Sequence, residues 1–222
     1  MKQWLVFVVL CAFLSSGALS QRKVTVQPDL SRPERLAGWD LDGSGTWIVS
    51  DGKLVISKAG VPAGPIRRPA ALAILKTEAF REIALEVDLR SHSPVDNPHR
   101  DLNLVVGYES PTRFYYVHLS AITDSVHNGI FLVNNANRRR IDDGKGKPQL
   151  RDSAWHRVRV ERNRASGRIA VYVDKQKRPV LEAIDTTIPD GRAGVGSFDD
   201  AGEFRRISVT GSVFEARSQE RR

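Results

Sequence analysis

Cysteine is almost missing from this chain. Its 222 residues hold one, Cys11, inside an apolar N-terminal run that is expected to be cut away. A chain without Cys11 has no disulfide, no cysteine nucleophile and no cysteine–zinc site. Helical periodicity is missing too, since hardly any stretch keeps apolar residues at the i, i+3, i+4 spacing. No Ser-His-Asp order, phosphate-cradling glycine loop or zinc-ligand spacing stands out. The one long apolar run, "WLVFVVLCAFL", is well short of the roughly 20 residues that a membrane span needs.

That run instead has signal-peptide length. Met1-Lys2 gives it a positive start, and Ala18 and Ser20 are the small residues that precede a cut. Residues 1–20 therefore read as a signal peptide cleaved after Ser20, and the protein is expected to be secreted, periplasmic or extracellular. Cys11 follows Leu10 inside the run, which is not the arrangement of a lipoprotein signal. Loss of Lys2 lowers the formal charge from +8 to +7. A basic surface favours anionic partners, and export makes nucleic acid the least attractive of them. The charge leaves acidic polysaccharide, cell-envelope polymer or a membrane surface as expected partners, with no nucleic acid and no membrane span. A chain of this length can bury a core in one domain without covalent staples.

What is present is period-two alternation in short runs separated by turn residues, the mark of antiparallel sheet. "TWIVS" and "KLVIS" flank Asp51-Gly52, a strong hairpin signal. Further runs bring the total to about eleven strands, too many for one open twisted sheet. The expected fold is all-β: two antiparallel sheets packed as a jelly-roll sandwich over residues 21–212, with residues 213–222 as a frayed tail. Residues 60–71 read as a Pro/Gly/Ala loop and residues 142–154 as a charged loop.

The stretch "DLDGSGTWIVSD", residues 40–51, places oxygen ligands at its positions 1, 3, 5 and 12 and Gly45 at position 6, as an EF-hand calcium loop does. An EF-hand also needs a helix on each side, and here the second half is a strand with its hairpin turn. "DLDGSG" therefore reads as a polar loop leading into the first strand. At most one structural calcium is expected, held by loop aspartates among Asp42, Asp199 and Asp200.

Three runs carry a family resemblance: "GTWIVSDGKLVI", "WHRVRVERN…SGRIAVYVD" and "RAGVGSFDDAGEFRRISV". Together they resemble the concanavalin A-like lectin/glucanase superfamily. The second run is similar to laminin-G-like jelly rolls. The whole is similar to exported bacterial domains described as 3-keto-disaccharide hydrolase-like or family 16 glycoside hydrolase-like. The resemblance covers about residues 30–211 and implies a jelly roll whose concave face takes sugars. Family 16 glucanases carry an E-x-D-x-x-E strand. In "EVDLRS", Glu86 and Asp88 match its first two acids, but Ser91 stands at the third, which puts the two-carboxylate glycosidase mechanism in doubt. The alginate-lyase-like members use a tyrosine and a histidine, and "RFYYVHLS" matches these at Tyr116 and His118.

Alternation sorts each strand into two faces. In "EIALEVDLR" the apolar set faces inward and leaves Glu86, Asp88 and Arg90 outward. In "DLNLVVGY" Asp101 and Asn103 face outward. In "RFYYVHLS" Tyr115, Val117 and Leu119 face inward and leave Tyr116 and His118 outward. The short turn "ESPT" makes the last two strands a hairpin, with Leu104 opposite Val117 and Asn103 opposite His118. If residues 83–90 form the next neighbour, one open polar groove holds catalytic candidates Tyr116, His118, Glu86 and Asp88 with substrate-binding candidates Arg90, Asp101 and Asn103. His127 and Asn128 are then placed on its rim. The functions that follow are carbohydrate binding or processing in the groove, a lyase or hydrolase acting on an anionic or modified saccharide, or a laminin-G-like adhesion domain.

Overall fold

The alternation seen in the sequence becomes fifteen strands in a computed structural model, which describes residues 21–61 and 64–214. They are β1 (Gln21–Val26), β2 (Trp39–Gly43), β3 (Thr46–Ser50), β4 (Lys53–Lys58), β5 (Ala71–Leu75), β6 (Glu82–Ser91), β7 (Asp101–Ser110), β8 (Arg113–Ser120), β9 (Gly129–Asn134), β10 (Arg139–Arg140), β11 (His156–Arg162), β12 (Arg168–Val173), β13 (Leu181–Ile184), β14 (Arg192–Ser197) and β15 (Gly202–Phe214). The proposed signal peptide and residues 215–222 of the proposed tail lie outside the described residues. Val213 and Phe214 are not frayed, because β15 continues through them against β1.

Two antiparallel sheets form a sandwich. Sheet A runs β13-β12-β11-β6-β15-β4-β3, with β1 added beside β15, and sheet B runs β10-β9-β8-β7-β14-β5-β2. The core between them takes one face of each strand, for example Leu85, Val87 and Leu89 from β6 and Leu104, Tyr115 and Val117 from β7 and β8. The hairpin at Asp51-Gly52 has φ of 51° and 71°, the doubly positive backbone of a tight two-residue turn whose twist suits the flanking strands.

Two local expectations change. "DLDGSG" is not a loop, since Trp39–Gly43 is the edge strand of sheet B. The 3-10 helix Pro33–Gly38 precedes it and strand β3 follows, so no EF-hand is built. The end of the 60–71 loop is also strand, because Ala71 opens β5, whose residues are all buried. The register of β7 on β8 is as the sequence predicts from Asp101↔Ser120 through Asn103↔His118 and Leu104↔Val117 to Val106↔Tyr115. A bulge then shifts the ladder so that Ser110 meets Arg113. Gly107, at φ 64°, makes the bulge, and it turns Tyr108 to the outer face of sheet B.

Candidate functional site

The outer face of sheet B is a second apolar layer. Leu72, Ile74, Val105, Tyr108, Phe114, Tyr116, Phe131 and Val133 form a separate buried cluster there, with Ile66 and Phe198 packed on it. Loops roof this layer. The Arg138 N–H donates to the Arg67 carbonyl at 3.0 Å, and the Arg67 N–H donates to Asn137 Oδ1 at 2.8 Å. Arg68 reaches down as a fork onto both oxygens of Asp42, at 3.0 and 2.7 Å. The Tyr108 hydroxyl donates to the same carboxylate at 3.3 Å.

Tyr116 and His118 point away from the core as alternation requires, but they do not line an open groove. Tyr116 is 0% and His118 2% exposed, because the roof loops and Phe198 cover them. Phe198 stacks on the His118 ring, with centroids 5.7 Å apart and planes 9° apart. The half-buried Arg138 lies against the same layer, 4.2 Å from the Phe198 centroid and 5.1 Å from that of Phe131. Its Nη1 donates to the Tyr116 hydroxyl at 3.0 Å and lies 3.3 Å from His118 Nδ1. Its Nε has no partner among the described residues.

Asp101 and Asn103 sit beside this group on β7, and both are fully buried. Asp101 accepts from Ser197 Oγ at 3.2 Å and from the Phe198 N–H at 3.0 Å. His118 Nε2 lies 3.3 Å from Asp101 Oδ2, without the alignment of a hydrogen bond. Neither amide atom of Asn103 has a partner among the described residues. Buried polar groups are seldom left this way, and Asn103 is 0% exposed.

Burial sets the electrostatics. It pushes Asp101 well above the ordinary carboxylate range, and the neighbouring Asp200 charge pushes the same way. It also holds His118 well below the ordinary histidine value, assisted by the Arg138 charge, so the ring is neutral. If Arg138 donates to Nδ1, the ring proton sits on Nε2 and faces Asp101. Burial raises the Tyr116 hydroxyl above the usual tyrosine value, only partly offset by Arg138.

The carboxylate oxygens of Asp101, Asp199 and Asp200 lie within 4.8 Å of one another. Asp199 and Asp200 thus cluster as metal candidates, joined by Asp101. Asp42 does not join them. It belongs to β2, two strands away from β14, and its carboxylate is taken by Arg68 and Tyr108.

The rest of the predicted groove is not assembled. β7 is flanked by β8 and β14, which leaves no place for β6, and β6 lies between β11 and β15 in the other sheet. Its inward residues face the shared core, so Glu86, Asp88 and Arg90 emerge on the opposite side of the sandwich. There Arg157 donates to both Glu86 and Asp88, and Arg90 donates to Glu203 at 2.7 Å. The Pro-containing segment 92–100 crosses between the sheets, so the condition that residues 83–90 neighbour β7 is not met. Asn128 is not a rim ligand either. At φ 48° and fully buried, it donates from Nδ2 to Thr123 Oγ1, Gly146 O and Lys147 O, and so ties two loops together. His127 is on the rim, with its ring 4.7 Å from that of His99 and 5.5 Å from that of His118.

Alternation alone does not find Arg138, Phe198 or His99, which come from loops. The run Arg138–Arg140 and the segment "GSFDD" were visible, but nothing in the sequence folds them back over Tyr116.

The acid response of the other sheet is predictable. Burial alone would raise Glu203, but hydrogen bonds from Lys53, Arg90 and His92 outweigh it and lower its pKa. A depressed carboxylate contributes stability above its unfolded value, about 4.5, and loses it as pH falls through the folded value. Denaturant titration should show the parent losing this stability in acid. Glu203→Gln should be less stable at neutral pH and flatter below pH 4.5. Parallel curves would refute the assignment.

No family model matches the chain, and no curated protein matches it in sequence. In structure it is similar to the carbohydrate-binding module CBM66 from Bacillus subtilis, with TM-score 0.55 and 16% identity over 77% of this chain and 94% of that one. It is similar to lectin I from Ulex europaeus, solved with the methyl glycoside of alpha-L-fucose, with TM-score 0.53 and 13% identity over 87% and 98% of the two chains. It is also similar to the exoplasmic/lumenal domain of VIP36 in its Ca2+/Man3GlcNAc-bound form, with TM-score 0.50 and 17% identity over 86% and 90%. The fold is therefore a lectin-like jelly roll.

Proposed function

We propose that the protein is an exported glycan-binding module whose contact surface is the roof over Tyr116 and His118. The observation that carries this is Arg138. Its guanidinium is held by Tyr116, His118 and two aromatic rings, yet its Nε has no partner among the described residues, and neither has the amide of Asn103, which pairs across the ladder with His118. A positioned fork with spare N–H groups suits sugar hydroxyls or a uronate carboxylate. Around it, His99, His127, Arg67 and Asp199 form the accessible rim. The structural neighbours named above include a carbohydrate-binding module and two proteins solved with sugars, which supports the same reading.

Asp101, Asp199 and Asp200 fit a single calcium. Their oxygens converge, and burial with the neighbouring Asp200 charge raises the Asp101 pKa, a penalty that a bound cation would offset. When bound, calcium supplies a fixed positive charge to which sugar hydroxyls can be drawn. Asn103 stands next on the same strand face and would orient such a hydroxyl.

Binding is favoured over elimination chemistry. A lyase needs a basic atom free to take a proton. The Tyr116 hydroxyl keeps its proton and accepts from Arg138, while the neutral His118 directs Nδ1 at the same guanidinium. The test is retention on a panel of neutral and uronic polysaccharides, with and without calcium, read together with absorbance from unsaturated products. Calcium-enhanced retention without product is expected. Unsaturated product, or failure of every polysaccharide to retain the protein, would overturn the reading.

A further inference from the structure

On the far side of the molecule, the outer face of sheet A carries an unusual arginine cluster. Asp88 is 1% exposed and is approached by three guanidiniums. Arg157 Nη1 donates to Oδ1 at 3.1 Å, Arg206 Nε donates to Oδ2 at 2.5 Å, and Arg205 Nε lies 3.5 Å from Oδ2 without a hydrogen bond. One carboxylate has about four lone-pair sites and three arginines carry about fifteen N–H donors. Glu86 takes one more of these donors from Arg157. The donors greatly exceed the acceptors.

The backbone is distorted to build this cluster. Successive residues of a regular strand face opposite ways, so Arg205 and Arg206 would ordinarily point to opposite sides of the sheet. A bulge between Arg205 and Ser208 turns both toward Asp88 and leaves Ile207 in the core. Its cost is φ 47° at Arg206, a left-handed conformation that a non-glycine residue rarely adopts. An outlier of this kind points to a function that repays it.

The bulge also lies in a gap. On the side away from β6, β15 pairs with β4 only through Gly202–Phe204 and with β1 only from Val209 onward. Among the described residues Arg205–Ser208 have no strand neighbour there, and a groove of about 1360 Å³ opens beside them. Arg157, Lys175 and Arg206 line it with the acids Glu86 and Asp174 and with the hydroxyls of Ser31 and Ser208.

We propose that this arginine-lined groove is a second binding site, for the carboxylate groups of an acidic polysaccharide. Guanidinium forks match planar carboxylates, and the hydroxyl groups beside them match the hydroxyls of the same sugar chain. The site is independent of the roof over Tyr116. Two sites on opposite faces would let one molecule hold a polymer network by avidity.

Arg206→Gly is the decisive variant, because glycine accepts φ 47° without strain and removes the guanidinium. Immobilised polygalacturonate at low ionic strength should retain the parent, and Arg206→Gly should bind about tenfold more weakly. Its melting temperature should equal or exceed the parent's, and retention on a neutral glycan should not change. Four results would each overturn the proposal. They are no retention of the parent, equal retention of the variant, a variant that melts below the parent, or duplex DNA or anionic vesicles binding as tightly with the same dependence on Arg206.

Discussion

Asp42→Ala should destabilise the protein by about 3–5 kcal/mol, the usual cost of stranding a buried charge. The Arg68 side chain is 1% exposed and that of Asp42 11%. Asp42 accepts from two guanidinium nitrogens and from the Tyr108 hydroxyl. Removing it leaves the guanidinium in a nearly dry site with no anion, and leaves the Tyr108 hydroxyl without its acceptor. It also frees the roof loop from its anchor on β2. Asp42→Ala with Arg68→Met should recover much of the loss, because a well-packed apolar pair replaces a buried ion pair at little cost. Equilibrium denaturation checks both. A loss below about 1 kcal/mol, the level of a surface ion pair, would mean that the clamp is solvated.

Arg138→Met should weaken glycan binding at least about tenfold while the domain stays folded, because a hydrogen bond to a charged group is worth about 1.5–3 kcal/mol. Methionine keeps an unbranched apolar stem over Phe131 and Phe198 but offers no donor. The comparison therefore separates the guanidinium's hydrogen bonds from its packing. Isothermal titration with a retained oligosaccharide measures the change, and melting temperature reports the fold. Binding equal to the parent's would remove Arg138 from the site.

Alternation made the inward and outward faces of β6, β7 and β8 legible, because period two is a property of the strand alone. The pairing Asn103↔His118 followed from a short turn and an apolar register. Which strands share a sheet was not legible. That depends on whether segment 92–100 returns as a hairpin or crosses the sandwich, and its prolines fit either path. Glu86, Asp88 and Arg90 were therefore placed on the wrong side of the molecule. The faces of Tyr108 and Arg206 were hidden for another reason. Each follows a bulge, and a bulge reverses the parity on which the face assignment rests. The burial of Tyr116 and His118 was hidden because a roof of loops leaves no periodic trace.

We propose that a glycan meets this protein at the roof over sheet B, through Arg138 and the groups around it. Resonance assignment followed by titration with a neutral oligosaccharide retained in the panel tests it most directly. Shifts are expected at Arg138 Nε–H, the Asn103 side-chain amide, and the backbone amides of Phe198 and Asp199, with sheet A silent. Shifts confined to sheet A, or to the edge strands β3 and β13, with Arg138 and Asn103 unmoved, would contradict it.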